Sequence, residues 1–300
     1  RRIEKRKEEK RREEKRREDK KLMSNLLLKQ RQPKGFYIPR KRTQESAQDI
    51  YRKIFQSTSK KHRTRQCLVT LGQLSAPKVK TPPKEDIDHL VSLYNQDSLK
   101  DTFELAKELT SDYPNAFFAW NILGATCHRL GHIEEADSAF RKVISLNPSY
   151  PDGHNNLGTL LTQQGRLDEA ISSYKQAISI NPEHADLFNN LGIALHQQSK
   201  LEEAIDAYEK AIQIKPDFAE AFNNLGKALS AHNDLDKAID SFYMAIAYNP
   251  DFAEASNNLG NAFHEIGKLE SAIAAYESAI STKSNYAEAY YNMANALQGL

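Results

Sequence analysis

Apolar residues in the C-terminal three-quarters of the chain recur with helical spacing and do not alternate as they would along a half-buried strand. In residues 216–249 the first apolar set falls at i, i+3, i+4 and i+7, the spacing of one helix face: Phe222, Leu225, Gly226 and Leu229. A second helix follows with a similar set: Ala238, Phe242, Ala245 and Ile246. Asn249 ends that helix and Pro250 opens the next unit, because proline is tolerated in the first turn of a helix but not in its interior.

This unit of 34 residues recurs without insertions. Such a period is typical of stacked helix–turn–helix units, since no single unit can bury its apolar face alone. A divergent unit at residues 85–113 comes first, and we interpret it as a cap on the open end of the stack. The prediction is an all-α, right-handed superhelical solenoid over residues 114–300, divided into 114–147, 148–181, 182–215, 216–249, 250–283 and a partial unit, 284–300.

Residues at fixed positions of these units resemble the tetratricopeptide repeat family over roughly two-thirds of the chain. The small residue of the first helix is present in every unit: Gly124, Gly158, Gly192, Gly226, Gly260 and Ala294. The alanine of the second helix is followed four residues later by a ring, as in Ala204 and Tyr208. Mild departures are His154 and Ser256 for an aromatic residue, Ser284 for proline, and Ser199 and Asn233 for the turn glycine. The resemblance implies a scaffold that binds a protein or peptide in a concave groove.

The overall charge of +2 conceals two regions of opposite sign. Residues 1–84 contain 28 Lys and Arg against 9 Asp and Glu, whereas the remainder contains 14 against 31. We predict a charged helical or disordered arm at residues 1–31 and a basic linker at residues 32–84, joined to an acidic superhelix. The basic arm could contact nucleic acid or an anionic membrane, and the alternative is a solvated run of charges.

No catalytic, cofactor or metal site is predicted from the sequence. Cys127 occupies a core position held elsewhere by leucine, such as Leu161, and is interpreted as a buried hydrophobe; the other cysteine, Cys67, gives no disulfide framework with it. Histidines occupy one common repeat position in alternate units, too far apart to share one ion: His128, His196 and His264. No apolar run approaches the ~20 residues of a membrane span, so a cytoplasmic location is the default expectation. The missing initiator Met and the end at Leu300, within a first helix, suggest a fragment of a longer protein.

Asparagine doublets recur near the middle of the first helix in four units, and the first and last units carry single asparagines at the corresponding place, Asn121 and Asn292. With ~100° per residue, both members point roughly 110–150° away from the apolar stripe, so both are predicted to flank the groove. An amide offers a donor and an acceptor, which suits the backbone of an extended peptide. The alternative is that one member of each doublet bonds its own repeat or the neighbouring loop. The predicted groove residues are Asn121, Asn155, Asn156, Asn189, Asn190, Asn223, Asn224, Asn257, Asn258 and Asn292.

One acidic residue per unit precedes these asparagines on the same side. A row of carboxylates predicts a ligand with spaced Lys or Arg residues, or an interaction with the basic arm of the chain itself. Acids at helix starts also complement the helix dipole, which is an equally good explanation. The acidic groove residues are Asp152, Asp186, Glu220, Glu254 and Glu288.

The unbroken 34-residue register and the recurrent Asn-Leu-Gly/Ala motif resemble the repeat region of O-linked N-acetylglucosamine transferases. That resemblance implies that asparagines on the concave face grip acceptor polypeptides: Asn156, Asn190, Asn224, Asn258 and Asn292. Ile122 departs from the motif in the first repeat, and any catalytic domain would lie beyond Leu300. The predicted function is a protein-interaction scaffold. The alternatives are the substrate-recruiting region of a glycosyltransferase and a nucleic-acid-associated protein that acts through its basic arm.

Overall fold

A computed structural model describes residues 81–300, and within that range the chain forms helices and no strands. This confirms the predicted all-α class. The predictions for the charged arm and for nearly all of the basic linker lie outside the described residues. The helices are α1 (Lys84–Asn95), α2 (Leu99–Asp112), α3 (Phe117–Leu130), α4 (Ile133–Leu146), α5 (Pro151–Gln163), α6 (Leu167–Ile180), α7 (Ala185–Gln197), α8 (Leu201–Ile214), α9 (Ala219–Ala231), α10 (Leu235–Tyr248), α11 (Ala253–Glu265), α12 (Leu269–Thr282) and α13 (Ala287–Gln298).

Each odd-numbered helix is the first helix of a unit, and each of them except the last, α13, packs against the even-numbered, second helix that follows it. In the five pairs from α3–α4 to α11–α12 the two helices approach closely because the first carries glycine where the second carries a ring. A Cβ added to Gly226 would lie 2.5 Å from Cε1 of Phe242, and one added to Gly192 would lie 2.6 Å from Cε1 of Tyr208. Ala238, on the facing helix, is fully buried. The prediction that small residues mark the helix–helix contact is therefore confirmed.

The turn inside each pair requires one residue in the left-handed region. Glycine supplies it in some units, such as Gly165 at φ 73°, but Ser199 at φ 61° and Asn233 at φ 65° adopt the same conformation. The departures from glycine therefore leave the turn unchanged in shape. They carry a strain of about 1–2 kcal/mol for an ordinary side chain, which is smaller for asparagine.

The first helices line the inner side of the stack. Consecutive first helices, such as α9 and α11, contact each other directly, whereas no two consecutive second helices between residues 81 and 300 pack to a comparable extent. In a curved array the elements at the inner radius lie closest together. The surface of the first helices is therefore the concave one, and the asparagine doublets lie on these helices.

Candidate ligand-binding groove

The asparagines of consecutive first helices are joined by side-chain hydrogen bonds. In each case Nδ2 of one asparagine donates to Oδ1 of the asparagine 35 positions earlier, at 2.9–3.1 Å. The donor is the second member of a doublet in four cases and the single Asn292 in the fifth. We call this series the asparagine ladder. Its five bonds run from Asn156 to Asn121, Asn190 to Asn155, Asn224 to Asn189, Asn258 to Asn223 and Asn292 to Asn257.

The first member of each later doublet lies inside the contact between repeats. Asn189, Asn223 and Asn257 are 7%, 2% and 0% exposed. Asn223 also donates from Nδ2 to Oε1 of Glu254 at 3.3 Å, so both of its amide atoms are used within the protein. Asn257 does the same with Glu288, at 3.1 Å.

The prediction that both members of a doublet face outward is therefore wrong for Asn189, Asn223 and Asn257. The angular estimate placed them correctly away from the core of their own helix pair. The first helix of the next repeat, however, lies in that direction. An estimate made from one isolated helix cannot take this neighbour into account. The structure thus joins the ten predicted asparagines in pairs, and in the last three doublets the first member is buried while the second is half-buried.

The second members are half-buried and keep part of their hydrogen-bonding capacity. Asn190, Asn224 and Asn258 each donate one bond to the ladder, and their Oδ1 atoms accept none from residues 81–300. Because the ladder bond fixes the rotamer, each Oδ1 is held in a constant direction. That these atoms face the groove and contact a ligand there stays a prediction.

The five predicted acidic residues are all exposed and lie in the first turns of their helices. Glu254 accepts from Asn223 and from Nζ of Lys227, each at 3.3 Å, and Asp186 lies 3.2 Å from Nδ1 of His184. Glu220 has neither a hydrogen bond nor an ion pair within the described part of the chain. Part of the acidic row therefore serves contacts between repeats, while Glu220 is available to a ligand.

Burial and charge also shift the pKa of groups beside the groove. Burial, followed by the neighbouring Asp152 carboxylate, raises the pKa of the Tyr150 hydroxyl well above its ordinary value. Burial, followed by the positive charge of Lys227, lowers the pKa of His196. Both shifts favour the neutral forms of Tyr150 and His196 near pH 7.

Cys127 is fully buried, as predicted, but the sequence interpretation missed its neighbours. Donor atoms of Cys127, His132 and Glu135 all lie within 4.8 Å of one another. The spacing of these residues matches no familiar ligand pattern. The sequence did contain one signal for this cluster, because the first full repeat departs from the others at the positions of Cys127 and His132.

The stacked helix pairs, the 34-residue period and the glycine–ring contacts define an α-solenoid repeat protein. Sequence profiles of known families lead to the same class. The profile described as TPR repeat matches residues 158–199, 194–233, 229–267 and 260–300. Two profiles described as tetratricopeptide repeat match residues 139–172 and 119–150. The chain belongs to the tetratricopeptide repeat family.

Solved structures with the same fold include MamA, which is 25% identical, with a TM-score of 0.51 over 55% of this chain and 97% of that chain. YrrB, described as a TPR protein with an unusual peptide-binding site, is 19% identical, with a TM-score of 0.50 over 62% and 96% of the two chains. PilF of Pseudomonas aeruginosa is 21% identical, with a TM-score of 0.55 over 61% and 85%. Among curated proteins, none matches the chain significantly. Within residues 81–300, no helix has the length and apolarity needed to cross a bilayer.

Proposed function

We propose that the inner surface of the repeats binds an extended polypeptide, with the second members of the doublets as the central contacts. The observation that supports this most directly is the state of their amides. Nδ2 is anchored in the ladder while Oδ1 accepts nothing from residues 81–300, as in Asn224. A side chain already held in one rotamer loses little entropy when a ligand binds, which favours affinity.

The spacing of these acceptors suits a peptide backbone. Packed helices lie ~8–10 Å apart, and an extended chain advances ~3.3 Å per residue. One asparagine therefore meets the peptide about every three residues. Each hydrogen bond contributes a net ~0.5–1.5 kcal/mol, so binding would be the sum of several modest contacts and would depend little on sequence.

Charge supplies the selectivity in this proposal. Outside residues 1–84 the chain has 31 acidic and 14 basic residues, and Glu220 is an exposed carboxylate at the start of a first helix. A peptide with spaced Lys or Arg residues suits this surface, whereas a phosphate backbone is repelled by it. The nucleic-acid alternative depends only on the basic residues 1–84.

The substrate-recruiting region of a glycosyltransferase is the second candidate. It shares the same groove and the same kind of polypeptide ligand, so the ladder is compatible with both. Tetratricopeptide repeats are generally binding scaffolds, and any sugar transfer would belong to other residues of a longer protein. Incubating such a protein with a nucleotide sugar and a groove-binding peptide tests this candidate, and a peptide of unchanged mass would contradict it.

The peptide proposal is tested by selecting displayed random 12-residue peptides on the full chain and measuring the affinity of the selected peptides by fluorescence anisotropy. We expect the triple variant Asn190→Ala, Asn224→Ala and Asn258→Ala to bind at least about tenfold more weakly. The control is Gln176→Ala with Gln213→Ala, which removes exposed amides from second helices. Unchanged affinity in the triple variant, or an equal loss in the control, would contradict the proposal.

A charge variant separates binding from stability, because the triple variant also removes ladder bonds. Glu220→Lys leaves every ladder bond in place, since Glu220 takes part in none of them. We expect this variant to bind Lys- or Arg-containing peptides more weakly than the parent, and the difference in affinity to shrink as the salt concentration is raised. Tighter binding of basic peptides by this variant would show that the acidic row does not select them.

A further inference from the structure

The first full repeat differs from the later ones at positions that the structure brings together. In the next three repeats the position of Cys127 holds Leu161, Leu195 and Leu229. The position of His132 holds Arg166, Lys200, Asp234 and Lys268 in the later repeats. The position of Glu135 holds Glu169, Glu203, Lys237 and Ser271. Among the complete repeats described, only the first therefore combines a thiol, an imidazole and a carboxylate here.

The local fold holds the three residues in a fixed relation. Cys127 lies in the last turn of α3, His132 precedes the first residue of α4, and Glu135 lies in the first turn of α4. The chain reverses at Gly131, φ 80°, and the backbone N–H of His132 donates to the carbonyl of Cys127 at 2.8 Å. The imidazole is also placed from α2, because the ring of Phe103 meets it edge-on at 5.6 Å.

The donor atoms have the separations of a metal-binding set. Oε2 of Glu135 lies 3.7 Å from Sγ of Cys127 and 3.5 Å from Nδ1 of His132. A tetrahedral zinc ion, with sulfur at ~2.3 Å and nitrogen or oxygen at ~2.0–2.1 Å, places such ligands about 3.3–3.6 Å apart. Two edges of the tetrahedron are thus nearly formed. The third, between Sγ of Cys127 and Nδ1 of His132, is at most 4.8 Å long and requires an adjustment of at most about 1.2 Å, which the exposed side chains of His132 and Glu135 can make.

We propose that Sγ of Cys127, Nδ1 of His132 and a carboxylate oxygen of Glu135 bind a zinc ion, with water in the fourth position. A surface depression of about 530 Å³ is lined by Cys127, Glu135, Phe103 and Lys107 and gives the ion and its water access. Thiolate and imidazole ligands favour zinc over magnesium or calcium, which prefer oxygen. The bound ion would link the end of α3 to the start of α4, and through the His132 ring it would also be fixed relative to Phe103 of α2.

Zinc binding at this site replaces the proton of the Cys127 thiol. In the metal-free protein, burial and the Glu135 carboxylate raise the pKa of the Cys127 thiol to about 11, while Lys107 opposes that rise. When zinc binds, the S–H bond breaks, an S–Zn bond forms, and the proton passes to the buffer. The double positive charge is balanced by the thiolate and the carboxylate, and no oxidation or reduction occurs.

Cobalt is the probe, because a thiolate ligand gives it a charge-transfer band in the near ultraviolet. The experiment uses the full chain with Cys67→Ser, so that any such band comes from Cys127. We expect one equivalent of Co²⁺ to bind and zinc to displace it. Calorimetry in two buffers of different ionisation enthalpy should show release of about one proton per ion.

Matched variants decide the assignment. Cys127→Leu restores the residue of the next three repeats and should abolish the band, while His132→Arg and Glu135→Gln should weaken binding at least about tenfold. Glu134→Gln changes an exposed neighbouring carboxylate outside the set and should leave affinity unchanged. Absence of a thiolate band would overturn the proposal. So would a cobalt affinity in His132→Arg and Glu135→Gln equal to that of the parent protein. These two variants change exposed side chains and answer the question even if Cys127→Leu disturbs folding.

Discussion

Replacing Asn223 by alanine tests whether the asparagine ladder couples neighbouring repeats. The side chain is 2% exposed, accepts from Asn258 at 2.9 Å and donates to Glu254 at 3.3 Å. A neutral hydrogen bond contributes a net ~0.5–1.5 kcal/mol and one to a charged group ~1.5–3 kcal/mol. Because Glu254 is exposed and water can replace its partner, the lower end applies to that bond. We expect Asn223→Ala to lower the free energy of unfolding by about 2–3 kcal/mol.

Asn224→Ala is the matched control in the same helix. Asn224 is half-buried and donates a single ladder bond, to Asn189 at 3.0 Å. Its loss should cost about 1 kcal/mol, because water can enter where the amide was and reach the freed oxygen. The two variants lose the same atoms from adjacent positions, so the difference between them isolates the burial and the second hydrogen bond.

Urea unfolding followed by circular dichroism at the helical band measures both variants. The midpoint and the slope are fitted together, since a lower slope for Asn223→Ala would mean that repeats unfold separately instead of as one unit. Equal losses for the two variants would refute the assignment of Asn223 as a link between repeats. So would an Asn223→Ala protein as stable as the parent. Asn223→Asp, which keeps an acceptor but turns a second carboxylate toward Glu254, should be at least as destabilising at neutral pH.

Three further outcomes follow from particular contacts. Gly226→Ala should cost about 1–3 kcal/mol in urea unfolding, because its Cβ would meet the Phe242 ring at 2.5 Å; no loss would contradict the close approach. Ser199→Gly should raise the free energy of unfolding by about 0.5–1 kcal/mol, because glycine adopts a positive φ without strain. Gly165→Ala should lower it by about 1 kcal/mol through the backbone conformation alone, since the new Cβ meets nothing within 4 Å. With metal removed by a chelator, the protonated Cys127 thiol should stabilise the fold fully below pH 9.0, its ordinary pKa, and progressively less as pH rises to about 11. Melting curves of Cys127→Leu should lack this alkaline component, and identical pH profiles for the two proteins would contradict it.

The helix pairs were predictable because each repeat has the same local requirements. The stripe ending at Leu229, the ring at Phe242 and the proline at 250 each specify a helix face or a helix start from neighbouring residues alone. Repetition at one period then requires that the units stack. These features depend on interactions within one pair of helices, which are short in sequence and nearly identical in every copy.

The two kinds of asparagine could not be separated in the same way. Whether Asn257 or Asn258 is buried depends on where the next first helix passes, and that position follows from the angle between successive pairs. The same holds for Glu288, whose bond from Asn257 crosses between repeats. A sequence pattern specifies the direction in which a side chain leaves its own helix. What lies in that direction is decided by the curvature of the whole stack.

The asparagine ladder also has a mechanical meaning. It runs along the inner radius of a curved array, where the first helices touch, while the second helices at the outer radius have no comparable contact between residues 81 and 300. Straightening the array would lengthen the 2.9–3.1 Å bonds of the ladder first, since hydrogen bonds weaken steeply with distance. The ladder therefore resists opening of the curve, and the proposed ligand would contact the same side chains that hold neighbouring repeats together.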